Sequence, residues 1–212
     1  VYVLSNGIFA SANENKEDAC SMIRHIPLGA VNLDKISALN QLTRDICEQQ
    51  CALTDAWTRL DECRNLPQPA KWLRVLCCGI GSGGFAYLFG GGVVELFFAF
   101  LIGMLLQLLM FAQSQQKMAR FAKSLFYSMF VTALSLVPLM AGVPAMQDKI
   151  VIGAIMPLVP GIAFTTSIRD FYNGDYLSGT IHLIDALMTA LCIAAGVGIV
   201  ISIYQALKGG IL

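Results

Sequence analysis

The chain has 212 residues, 56% of them hydrophobic and only 13% charged, with a mean hydropathy of +0.65. That balance excludes an ordinary water-soluble globular domain and marks a membrane protein. The formal net charge is zero and no basic run alternates with aromatic residues, which sets nucleic acid aside as a partner.

The neutrality is the sum of unlike halves. Residues 1–72 carry seven Lys and Arg against nine Asp and Glu, residues 73–212 seven against five. Residues 1–65 read as a small cytoplasmic α+β domain that continues upstream of Val1, where no signal-peptide pattern is visible. In VYVLSNGIFASA, two short apolar runs flank Asn6-Gly7, a pair that favours a two-residue hairpin turn, and SMIRHIPLG offers a further strand. From Asp34 the period changes. Ile36, Leu39, Thr43, Ile46, Gln50, Leu53, Trp57 and Leu60 follow a 3,4 spacing, which predicts one amphipathic helix or two whose stripe covers the strands. A coiled coil for a partner is the alternative. Residues 66–72, with Pro67 and Pro69, form a stiff linker. The seven cysteines include no CxxC, and His25 and His182 are the only histidines, so reduced structural thiols are expected, with no metal site.

Residues 73–212 form the membrane domain. Apolar blocks at 73–90, 93–112, 125–143, 150–168 and 181–205 predict five transmembrane helices, since ~19 residues at 1.5 Å each cross a core of about 30 Å. The loop QSQQKMARFAKS carries Lys117, Arg120 and Lys123 with no acid. By the positive-inside rule it is cytoplasmic, which puts the N-terminal domain inside and the C-terminus outside. GIGSGG, residues 79–84, matches GxGxxG but lies within a span, follows no strand and has no acidic partner about 20 residues on. Gly79 and Gly83 instead form a GxxxG pair, which allows close helix packing.

The fourth span contains GAIMPLVPGIAF, residues 153–164. Pro157 cannot donate to the carbonyl of Gly153, nor Pro160 to that of Met156, and Gly161 eases an unwound backbone. A break at mid-span must face protein, water or substrate and not lipid. This predicts a discontinuous helix with a substrate site: the carbonyls of Gly153 and Met156 on one side, the amides of Gly161, Ile162 and Ala163 on the other, then the hydroxyls of Thr165, Thr166 and Ser167. An ordinary proline kink is the plainer alternative.

From the break onward, GAIMPLVPGIAFTTSIRDFYNGDYLSGTIHLIDALMTALCIAAGVGI resembles the hallmark region of the threonine/serine exporter family, with a PLxPG-type segment, an RD pair and a GDxxSG stretch before the last span. LFGGG, residues 88–92, and the hairpin-plus-helix domain in front are similar too. The resemblance implies export of small polar carboxylate-bearing metabolites: threonine and serine, or dicarboxylates such as succinate in members that work with a separate, smaller membrane subunit. Five spans suit the two-subunit form, with higher oligomerisation. It also makes Arg169 a candidate for substrate carboxylates.

An ionisable residue within a span is a functional candidate by default. Asp185, one turn from His182, is either a proton relay or a partner of Arg169 or of the helix N-terminus. Glu95 opens the second span as a helix-start carboxylate, or serves as a gate or proton site. Asp170 and Asp175 complete the candidate coupling and gating set, and Ser178 is the expected N-cap of the last helix. With no catalytic constellation, no phosphate-binding loop and no cofactor motif, the reading is a secondary exporter in the inner membrane and not an enzyme. Two alternatives are a non-transporting scaffold or sensor with a ligand-binding cytoplasmic domain, and a passive channel.

Overall fold

The structure is a computed structural model that describes residues 2–4, 7–12, 20–25, 32–48, 53–67, 69–113 and 118–209; for the first three segments and residues 53 and 54 the description is of the backbone. The chain divides into two compact units, residues 1–69 and 70–212.

In the first unit, strands β1 (Tyr2–Leu4), β2 (Gly7–Ala12) and β3 (Cys20–His25) pair antiparallel in that order. The β1–β2 register pairs Leu4 with Gly7, so Gly7 belongs to the ladder and not to the turn that Asn6-Gly7 predicts. Two helices follow, α1 (Leu33–Cys47) and α2 (Leu53–Arg64). Asn32 caps α1, its side chain accepting from the Lys35 amide at 3.1 Å, which satisfies one of the otherwise orphaned first-turn donors. The expected apolar stripe is present, and part of it lies between α1 and α2, which pack on each other. Leu39, Leu42, Ile46, Trp57 and Leu60 line an open groove between the two helices, with Trp57 70% exposed. Gln50 lies outside the described residues.

An ion pair, Arg59 Nη2 to Asp45 Oδ2 at 2.7 Å, fixes α2 on α1. Hydrogen bonds from Arg59 and then Gln41 hold the Asp45 carboxyl below the usual carboxylate range. A depressed folded-state value means that this stabilisation is present above the unfolded value, about 4, and is lost as pH falls through the folded one. Amide exchange in α1 and α2 is therefore expected to quicken on acidification below about pH 4, and Asp45→Asn to remove that pH dependence.

The second unit is a helical bundle: α3 (Lys71–Leu88), α4 (Val93–Ala112), α5 (Arg120–Met140), α6 (Gln147–Ile155), a 3₁₀ turn (Met156–Leu158), α7 (Gly161–Tyr172) and α8 (Tyr176–Gly209). Three helices, α4, α5 and α8, are each long and apolar enough to cross a membrane, and α6 through α7, bent by 61° at the break, qualify together as a fourth. Among the described residues, three of the five expected spans meet this test singly, and the broken pair makes a fourth. Helix α3, the expected first span, falls short on apolarity because Lys71, Arg74 and the glycine run dilute it.

Close approach through small residues organises the bundle. A Cβ on Gly79 would stand 2.7 Å from Met104, and one on Gly83 would stand 2.9 Å from the Leu96 carbonyl, so the GxxxG pair seats α3 on α4. Gly103 of α4 answers it, with Ser82 in the gap. On the other side, Gly153 of α6 lies against Ala86 and Ser82 of α3. Ala86, Ala99, Ile102, Leu106, Tyr127, Val131, Ile150 and Ala154 form the buried core. Ser128, Thr132 and Ser135 are fully buried on α5, each hydroxyl donating to a carbonyl of its own helix, and Gly196 lets α8 approach Ser128.

Helix ends are set by glycine. After α3, α5 and α7, the residues Gly90, Gly142 and Gly174 take positive φ (+89°, +74° and +80°). In each case the next residue's amide bonds back to the helix, Gly91 to Ala86, Val143 to Pro138 and Asp175 to Asp170, which satisfies C-terminal carbonyls in the Schellman arrangement.

Candidate functional site

The break is a built feature and not a gap in the hydrogen bonding. The Gly153 carbonyl accepts from the Met156 amide, and the Met156 carbonyl from the Val159 amide at 3.1 Å. Both carbonyls that the prolines were expected to orphan are satisfied by tightening the chain into a 3₁₀ turn. Gly153 is also buried against α3, where it packs the bundle. On the far side Gly161 donates to the Val159 carbonyl at 2.8 Å, and Phe164 opens the α7 ladder on Pro160. Among the described residues no backbone acceptor serves the Ile162 and Ala163 amides, as the free first turn of a helix requires.

This first turn borders a cavity of about 420 Å³. Pro157, Leu158, Pro160 and Ala163 form one wall, Met110 of α4 another, Arg120, Lys123, Ser124 and Tyr127 of α5 a third, and Asp185 and Thr189 of α8 the last. Arg120 Nη1 and Asp185 Oδ2 are 3.2 Å apart across it. Lys123 Nζ donates to the Gln113 carbonyl at 3.3 Å, and Thr189 Oγ1 to the Asp185 carbonyl at 2.8 Å. Two cations and one carboxylate therefore meet at the broken helix, beside donors at the start of α7.

Of the predicted site residues, the fold brings Pro157, Pro160, Ala163 and Asp185 together. Met156 is half-buried and Ile162 exposed, beside the cavity but not among its walls. Thr165 is exposed and its hydroxyl donates to the Gly161 and Ile162 carbonyls of its own helix. Thr166 is half-buried, again away from the cavity walls. Ser167 is fully buried and ties α7 to α8 through the Gly179 carbonyl at 2.9 Å. Arg169 is exposed and, among the described residues, has no side-chain partner; the partner of Asp185 is Arg120.

The other carboxylates have structural partners. Asp170 lies 3.8 Å from His182 Nε2, so His182 bridges to α7 and not to Asp185. Asp175, not Ser178, caps α8: its carboxylate accepts from the Ser178 amide at 3.2 Å and from the Ser178 hydroxyl at 2.8 Å. Glu95 is 5% exposed and fully occupied, accepting from the Gly92 amide at 2.7 Å and from the Met146 amide at 2.8 Å. It closes the first turn of α4 and staples the α3–α4 turn to the α5–α6 turn. Glu95→Ala removes two backbone-amide hydrogen bonds to a buried carboxylate and is expected to cost about 1–3 kcal/mol, read as a lower unfolding temperature of the purified protein.

Sequence reasoning missed Arg120, Lys123, Tyr127 and Thr189. From the sequence Arg120 and Lys123 read as loop charge that sets orientation; their i, i+3 spacing, which puts both on one helix face, is the available signal. Thr189 follows Asp185 by one turn.

The family model described as "Putative threonine/serine exporter" matches residues 1–204, nearly the whole chain. The chain belongs to the threonine/serine exporter family. Searches of curated proteins and of solved structures return no match. Membership makes this chain one of a transporter family, and the apolar helices agree with a membrane protein. Within this exporter-family chain, the cavity is where the proline break and the charged side chains of two long apolar helices coincide.

Proposed function

We propose that the protein is a secondary exporter, or the larger subunit of one, for small carboxylate-bearing metabolites, and that its substrate site is the cavity at the Pro157–Pro160 break. One observation carries the reading: the broken helix, Arg120, Lys123 and Asp185 converge on a single cavity in the membrane unit. Two bases and the amide turn of α7 suit a carboxylate, and a water-lined cavity is where a non-helical backbone is tolerated at membrane depth.

In this reading α3 is a fifth crossing. Its 18 residues span about 27 Å, and it packs along α4 through Gly79 and Gly83. The basic start of α5 and the N-terminal α+β unit then lie in the cytoplasm and the C-terminus outside, by the positive-inside rule. Among the described residues Asp185 is the one carboxylate lining the cavity, which makes it the candidate for proton coupling, and Glu95, Asp170 and Asp175 are structural. A smaller membrane subunit of the same family completes the assembly.

The test is transport in proteoliposomes under an imposed pH gradient, with labelled threonine, serine and succinate, with and without a candidate small subunit. Gradient-dependent movement of any of the three supports the reading. No movement by a folded complex overturns it in favour of a scaffold or sensor, and movement indifferent to the gradient points to a passive channel.

A further inference from the structure

We propose that the Arg120–Asp185 ion pair is a latch across the cavity, and that a substrate carboxylate opens it by taking the place of Asp185 on Arg120. The inference rests on the cavity being the substrate site. Asp185 contacts Arg120 through one guanidinium nitrogen at 3.2 Å, with the two side chains 53% and 26% exposed. A guanidinium binds a carboxylate best by donating from two parallel N–H groups, and a half-exposed, single-contact pair contributes little to stability. A free carboxylate that engages both donors therefore competes on favourable terms.

The surroundings assist the exchange. Lys123 lines the same cavity and bonds a backbone carbonyl, so among the described residues no acid neutralises it, and it holds the cavity positive towards an incoming anion. The other titratable groups nearby are Tyr127 on α5 and His182 on α8, the latter held to Asp170 of α7. The pair also joins the first residue of α5 to α8, two helices that pack along each other. Releasing it removes one tie between the α5 N-terminus and α8 beside the cavity, so ligand binding and the loss of that tie become one event.

The experiment is binding of labelled threonine and succinate to the purified full chain in lipid nanodiscs. If the latch is closed about nine-tenths of the time, Asp185→Asn frees Arg120 and tightens binding about tenfold. Arg120→Gln should lose binding alone and also when combined with Asp185→Asn, a double variant that does not leave the Asp185 carboxylate without its partner. Arg120→Lys should restore part of it. Unchanged or weaker binding in Asp185→Asn, or retained binding in Arg120→Gln, overturns the latch. Ala163→Trp separates the two ideas: binding that it blocks but that ignores residues 120 and 185 keeps the site and rejects the latch. Binding that survives Ala163→Trp, or no binding to the unaltered chain, rejects the site and the latch with it.

Discussion

Ala163→Trp is expected to lower transport at least tenfold, about 1.4 kcal/mol or more in apparent substrate affinity, while the protein stays folded. Ala163 sits in the first turn of α7 and borders the cavity of about 420 Å³, so an indole there fills the proposed substrate space and need not displace core atoms. It also covers the amide turn that follows the break. Thr165→Trp is the control. Thr165 is two residues further along the same helix, exposed and outside the cavity walls, so this variant should transport normally. Loss in both variants would mean that α7 itself moves against something during transport. Loss in neither would remove the cavity from the mechanism. Measuring the unfolding temperature of each variant separates a blocked site from a misfolded one.

Gly153→Val should be strongly destabilising. A Cβ at 153 would lie 2.6 Å from the Ala86 Cβ, 2.6 Å from the Ser82 carbonyl and 2.7 Å from the Ala86 amide. Two of those neighbours are backbone atoms of α3, so relief requires moving a whole helix that is itself locked on α4. Overpacking of this kind costs about 1–3 kcal/mol, and the β-branched side chain puts Gly153→Val at the upper end. The glycine run of α3 supplies the contrast. Nothing stands within 4 Å of a Cβ at Gly81 or Gly84, so Ala there should be neutral or stabilise by up to about 1 kcal/mol. Thermal unfolding in one detergent ranks all three. Equal losses at positions 153 and 84 would refute the account of α3 packing given above.

The two results bear on different parts of the same helix. The segment before the break is packed like a core, with Ile150 and Ala154 fully buried and Gly153 in contact with α3. The segment after it leaves that packing, and α7 keeps only Ser167 buried, at its bond to α8. The prolines thus separate a fixed half from a half held mainly by one neighbour, which is the division of labour that a gated cavity needs.

The sequence by itself determined the class and the punctuation of this protein. Membrane character follows from composition, because a stretch as apolar as residues 93–112 has few stable surroundings other than lipid. The break follows from Pro157 and Pro160, since a missing amide is a local chemical fact that no tertiary contact can restore. The ends of α3, α5 and α7 follow from glycines whose positive φ other residues resist. What the tertiary structure decided is partnership. That the Met156 and Gly153 carbonyls would find amides in a 3₁₀ turn depends on how the chain relaxes around the prolines, and Ser167 could be assigned to the α7–α8 contact only once α8 lay beside it. Asp185 had Arg169 as its near candidate in sequence, 16 residues away, yet it pairs with Arg120, 65 residues away, because helix packing and not chain distance brings charges together. Glu95 shows the same rule twice over: its bond to Gly92 is legible as a helix start, whereas its bond to Met146, 51 residues on, exists only because two turns of the bundle end side by side.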